Sequence, residues 1–331
     1  MTSAGAVYDR GYRPYDGARL SRVGILRALW VASMRRALGL RRSWRQKLLP
    51  WLLLGIVTIP ATVQVGIAYL TRDNPRFNVE FITYREYVGV STALLLFVAI
   101  TAPDIICPDR RQRVLPLILS RPLTGTGYAL AKLASIVTIV FAFGVIPQIV
   151  LFIGQMLVSK SGSMAYARAN AEVLWQVPVA VAALAVYYAV IGVAVSSLTT
   201  RRIAAAAIFI GLMLVSGAVA GILSEVNAPA PEEQIILPPD GPGVGPPGPP
   251  GPTGLEGERQ FVKVRRPNTM TSIVNLSALP LHVRDLVFLG HLDRNDDLGG
   301  VDGAGVAVLG LYALIVSLAV GVTLLRYREA A

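Results

Sequence analysis

The sequence predicts an all-α protein, a polytopic membrane bundle of six transmembrane helices with an amphipathic N-terminal interfacial helix. Three observations lead there. Hydrophobic residues make up 53% of the 331 and charged residues only 15%, where soluble domains carry roughly 25% charged. Mean hydropathy is +0.56. Six apolar runs reach the length of about 20 residues that a helix needs to cross a bilayer, and Lys and Arg are distributed unevenly between the segments that join them.

Residues 1–16 are polar, with Tyr8, Tyr12 and Tyr15 among Arg10 and Arg13. They read as an irregular arm, either a loose tail or a docking segment. From Ala18 to Leu40 the pattern turns helical: Leu20, Val23, Trp30, Met34 and Ala37 recur at spacings of three and four. Arg19 and Arg27 project close to that stripe, and their stems can snorkel towards headgroups, so the helix is expected to lie along the membrane surface. A basic run, Arg41, Arg42, Arg45 and Lys47, closes this region, 1–47.

The six runs are Leu48–Leu70, Tyr87–Ile106, Leu130–Val158, Val173–Leu198, Ile203–Leu223 and Ala304–Leu325. Pro60, Pro147 and Pro178 lie inside three of them and read as kinks that neighbouring helices tolerate. The first five spans fill 48–223, with a connecting segment at 107–129; the sixth span and a short tail fill 304–331. Segments 1–47, 107–132, 199–202 and 326–331 hold 20 Lys and Arg, whereas 71–86, 159–172 and 224–303 hold 11 over more residues. The first set, with both termini, is therefore expected in the cytoplasm.

The outer loop 224–303 carries 11 of the 20 acidic residues. Its stretch 238–259 is rich in Pro and Gly and from Gly245 runs through five Gly-X-Y triplets. A collagen helix needs three chains, so an extended spacer is expected. Leu276–Leu289 is apolar, but it is short and is interrupted by Arg284 and Asp285. It reads as an interfacial or re-entrant helix rather than a span.

Enzymatic chemistry finds little support. Gly125, Gly127 and Lys132 fail the spacing of a phosphate loop, and Leu133 stands where a magnesium-binding hydroxyl belongs. The two glycines read as a flexible turn into the third span. Asp293, Asn295 and Asp297 alternate like calcium ligands, but Leu298 and Ala304 replace the required glycine and glutamate. His282 and His291 lack a third ligand and read as surface or interfacial histidines. The single cysteine, Cys107, excludes an internal disulfide and a thiolate zinc site.

No serine lies in a G-x-S-x-G elbow, and no cleavable leader is expected ahead of Leu48. Asp104 lies near the end of the second span, either as a functional ionisable group or as a helix cap. Gln64, Gln148, Gln155 and Gln176 interrupt apolar runs, either lining a path or bonding between helices, the second being favoured. Gly217 and Gly221 form a GxxxG pair for close helix packing, within the bundle or against a second subunit. Arginine outnumbers lysine 27 to 4, which points to GC-rich coding and a bacterial inner membrane.

The segment Asp109–Lys132 is both basic and greasy. Its opening, DRRQRVLPLILSRPL, resembles the first cytoplasmic loop of the ABC-2 family of ABC transporter permeases, which commonly reads E-R-x-x-G-T-L-E-L-L-L-S-x-P. Asp109 stands for the acid and Arg110 for the arginine. Leu115, Leu117, Ile118 and Leu119 match the apolar run, Ser120 and Pro122 the stop, and Lys132 the lysine that opens the third helix. Arg113, Val114 and Pro116 depart from it, replacing the glycine, the threonine and the second acid; at Pro116 the helix either starts late or is kinked.

The resemblance implies a permease half-transporter, most often an exporter, that pairs with a second permease subunit and binds two copies of a separate ATP-binding subunit. The ATPase-coupling residues would be Asp109, Arg110, Arg111, Leu115, Leu117, Ile118, Leu119 and Pro122, with the N-terminal helix at the same interface. Hydrolysis would occur in the partner, so no cofactor is expected in this chain, nor any nucleic-acid partner; the cargo is left open. The competing reading is a non-transporting anchor or sensor that displays the outer loop.

Overall fold

The computed structural model describes residues 21–40, 44–72, 82–88, 91–112, 123–226, 232–234, 262–264, 274–292 and 303–328. Among them are ten helices: α1 (Arg22–Ala37), α2 (Trp44–Thr71), α3 (Tyr84–Val88), α4 (Ser91–Arg111), α5 (Gly125–Val158), α6 (Ser163–Ala169), α7 (Val173–Leu198), α8 (Arg202–Val226), α9 (Leu279–Leu289) and α10 (Ala304–Arg328). Six are long and apolar enough to cross a membrane: α2, α4, α5, α7, α8 and α10. An even number of crossings puts α1 and the end of α10 at one end of the bundle, and α3, α6 and α9 at the other.

Helix α7 is the centre. It packs against α4, α5, α8, α9 and α10, and 78% of its most apolar window is buried, against 11% for α2 and α10. Its composition explains this. No charge interrupts Val173–Leu198, apolar residues go all the way round, and Ala180, Ala185, Ala189 and Gly192 are small enough to admit neighbours. A methyl group placed on Gly192 would lie 2.6 Å from Val98 Cγ1 of α4, and one on Gly144 of α5 would lie 2.7 Å from Val181 Cγ1 of α7. Gly154 of α5 meets Val65 of α2 in the same way. Such close backbone approach is what holds helices together where lipid removes the hydrophobic drive.

The helices outrun the apolar windows. The third span begins at Gly125 rather than Leu130, and the second, of which α3 and α4 are the described parts, extends from Tyr84 to Arg111. Residues 107–111 and 125–129 of the connecting segment thus belong to the flanking helices. Gly125 and Gly127 are not a flexible turn; they form the first turn of α5, where the Thr124 hydroxyl caps the helix by accepting from Gly127 N at 3.1 Å.

Helix α1 forms where the periodicity predicts it, capped by Ser21. Its apolar stripe is divided, however. Met34 and Ala37 join the core, Trp30 Nε1 donates to Thr138 Oγ1 of α5 at 3.3 Å, and Val23 is 73% exposed.

At the opposite end α9 is packed on α7 and α10. Its charges are accommodated by pairing. Asp285, fully buried, accepts from Arg85 Nε of α3 and from Arg284 Nε, each at 2.8 Å. His282 is buried in the same helix rather than on the surface, because its position shares the inward face with Leu279 and Val283. In the loop between α8 and α9, Glu232–Gln234 pairs antiparallel with Val262–Val264, which brings together the two ends of the stretch that contains the Pro/Gly-rich run. That run, 238–259, and the acidic positions 293–297 lie outside the described residues.

Candidate functional site

The α1 end gathers a buried ion network at the base of the 109–122 segment. Asp109 lies in the last turn of α4 and Lys132 in the second turn of α5. Asp109 stands at the helix end that its charge disfavours, a carboxylate near the negative C-terminus. Both are buried, at 3% and 2% exposure. Only mutual pairing makes that tolerable. Lys132 Nζ lies 2.6 Å from Asp109 Oδ2, the Tyr128 hydroxyl donates to the same oxygen at 2.6 Å, and Arg36 Nη1 of α1 reaches Oδ1 at 2.5 Å. Lys132 also donates to the Ile105 carbonyl at 3.4 Å and sits 5.4 Å from the centroid of the Tyr128 ring, a cation–π contact. The Tyr128 ring packs on Tyr327 of α10 at 5.3 Å between centroids, and Leu29, Leu123 and Leu324 close around them.

The chain leaves α4 at Gln112 and returns at Leu123, so Asp109, Tyr128 and Lys132 clamp both ends of the intervening segment. Arg36 fastens α1 to that clamp, and Tyr327 fastens α10. The network thus joins four helices, α1, α4, α5 and α10. Arg110 is half-buried, and its Nη1 has no hydrogen-bond partner among the described residues. Arg111 is exposed. Leu115, Leu117, Ile118, Leu119 and Pro122 lie outside the described residues.

Several of the remaining positions singled out in the sequence have structural partners. Asp104 pairs with Arg202 in the first turn of α8, which ties α4 to α8 and offsets a cation at a helix N-terminus. Gln148 Nε2 donates to the Tyr84 carbonyl at 3.4 Å and Gln176 Nε2 to the Phe288 carbonyl at 3.5 Å, so both bond between elements. Gln64 is buried and Gln155 half-buried. A methyl on Gly217 would meet the Asn275 side chain at 3.6 Å, whereas Gly221 faces open space. Cys107 is buried, its thiol 3.7 Å from the Thr199 carbonyl. Among the described residues no three His, Cys, Asp or Glu side chains converge as metal ligands.

Arg36, Tyr128 and Tyr327 escape sequence reading. The signal available was the pair of charges at the edges of apolar runs, Asp109 and Lys132, each of which demanded a partner. No protein-family model matches the chain, and no curated protein matches it in sequence.

Proposed function

We propose that the chain is the permease subunit of an ATP-driven ABC-2 type transporter, an exporter of the bacterial inner membrane with both termini in the cytoplasm. It pairs with a second permease subunit to form the translocation path and is coupled to two separate ATP-binding subunits. The observation that carries this reading is the clamp at Asp109. The acid and the lysine that match the two ends of the family's coupling motif meet at 2.6 Å, with the N-terminal helix joined to them through Arg36. In this reading 109–122 rests on the ATPase, α1 lies along the inner membrane face, and closure of the ATPase pair pushes the segment. The clamp passes that push to α1, α4, α5 and α10, which switches the cavity between inward-open and outward-open. Asp109 then acts as a positioning residue, since it is buried and turned into the bundle.

Co-expression with the ATPase encoded beside this chain tests the proposal. A copurifying complex that hydrolyses ATP is expected, and failure to copurify with any ATPase subunit contradicts it. The second reading, an anchor or sensor, is favoured by the paired strands that close the base of the Pro/Gly-rich stretch. It is preferred if deleting 238–259 abolishes function while charged substitutions at Leu115 and Leu119 do not.

A further inference from the structure

The α1 end also holds a cleft that the ion network leaves open. One lobe, of about 1220 Å³, lies between the end of α4 and the start of α8, walled by Arg111, Arg201 and Arg202. The other, of about 840 Å³, lies between α1 and the same end of α4, walled by Arg27, Arg35 and Arg36. Pro108, Gln112 and Arg202 line both lobes, so the two are continuous. Among the described residues six arginines and no carboxylate line this space. Arg36 shares Asp109 with Lys132, and Arg202 pairs with Asp104. Among the described residues no carboxylate pairs with Arg27, Arg35, Arg111 or Arg201.

The floor between these arginines is apolar and small. Gly24, Ala28, Val31 and Ala32 of α1 line one lobe, and Ala204 and Ala207 of α8 line the other. From Ala204 the side of α8 continues away from the cleft as Ile208, Leu212 and Val215, at helical spacing and all exposed. Ile203, at the mouth, is 86% exposed.

We propose that this cleft seats the phosphodiester headgroup of an anionic phospholipid from the leaflet at the α1 end, its acyl chains lying along the exposed stripe of α8. Guanidinium forks match phosphate oxygens, and basic pockets between transmembrane helices at the membrane surface are suited to anionic headgroups. An acidic segment of a soluble protein would satisfy the arginines but leave unused a stripe that runs down a membrane-crossing helix. The site stands independently of the transporter reading, since it needs no ATPase.

The test is native mass spectrometry and fluorescence binding on the purified, delipidated full chain, with phosphatidylglycerol and phosphatidylcholine as probes. Phosphatidylglycerol is expected to bind about tenfold or more tighter, and each double variant, R27Q/R35Q and R111Q/R201Q, to lose most of that preference. R168Q, at the opposite end, serves as the control and is expected to keep it. Thermal melting of each variant separates lost binding from lost fold, because the substituted side chains are not paired within the described residues. Equal binding of the two lipids, or an unchanged preference in the quadruple variant, overturns the proposal. Displacement of the lipid by millimolar glycerol 3-phosphate or by polyglutamate also overturns it, in favour of a soluble phosphate or an acidic protein partner respectively.

Discussion

Replacing Lys132 by methionine keeps the volume of the side chain and removes its charge from a site of 2% exposure. Breaking a buried pair by removing one partner costs about 3–5 kcal/mol when the other charge is left alone. Asp109 would not be alone. Arg36 still holds one oxygen and the Tyr128 hydroxyl the other, although the Arg36 side chain is 38% exposed and its attraction is weakened by solvent. The expected loss is therefore about 2–3 kcal/mol. Asp109→Asn should lose more, about 3–5 kcal/mol, because it strands the ammonium of Lys132 in the interior.

The double variant removes both charges and leaves only the half-exposed Arg36 without its partner. It should be more stable than the sum of the single effects by about 1–3 kcal/mol. Unfolding by titration with a denaturing detergent, followed by tryptophan fluorescence in mixed micelles, measures all four corners of the cycle. Additivity of the two single effects within about 0.5 kcal/mol would refute the clamp as an energetic unit.

Three other outcomes follow from the packing. Gly192→Val forces a methyl group into Val98 and should destabilise by about 1–3 kcal/mol, whereas Gly211→Ala, which meets nothing within 4 Å, should not lower the melting temperature. Asp285→Asn releases Arg85 and Arg284 together and should undock α9, read as faster limited proteolysis on either side of Leu279–Leu289. Thr124→Ala removes the cap of α5 and should cost about 1 kcal/mol, with Thr124→Ser restoring it.

The six spans were legible because bilayer thickness sets a length that a run of apolar residues must reach. Their ends were less so. Apolar windows stop at Ile106 and restart at Leu130, while the helices continue to Arg111 and begin at Gly125, since hydrogen bonding and capping, rather than hydropathy, decide where a helix stops. The centrality of α7 was not legible, because Ile203–Leu223 and Ala304–Leu325 are equally free of charge and equally rich in small residues. Asp109 and Lys132 could be singled out from their motif, but their partner Arg36 is 73 positions from Asp109, and only the docking of α1 along α5 brings it there. Arg284 and Asp285 argued against a span at Leu276–Leu289, and α9 is a short helix. That Asp285 is buried against Arg85, 200 residues away, no local pattern announces. Gly217 and Gly221 share one motif yet face different surroundings, because spacing fixes a face but not what lies opposite.

The most direct measurement is site-specific cross-linking from the 109–122 segment within membranes that hold the chain together with the ATP-binding subunit proposed as its partner. Leu119→Cys is made in a Cys107→Ala background, so that the buried native thiol plays no part, and is treated with a short thiol-to-amine cross-linker. A single adduct at the summed mass of permease and ATP-binding subunit, with a yield that changes between ATP-bound and nucleotide-free states, is the predicted result. Reaction of Leu119→Cys with lipid or solvent reagents alone, with no ATPase adduct in either state, would contradict it.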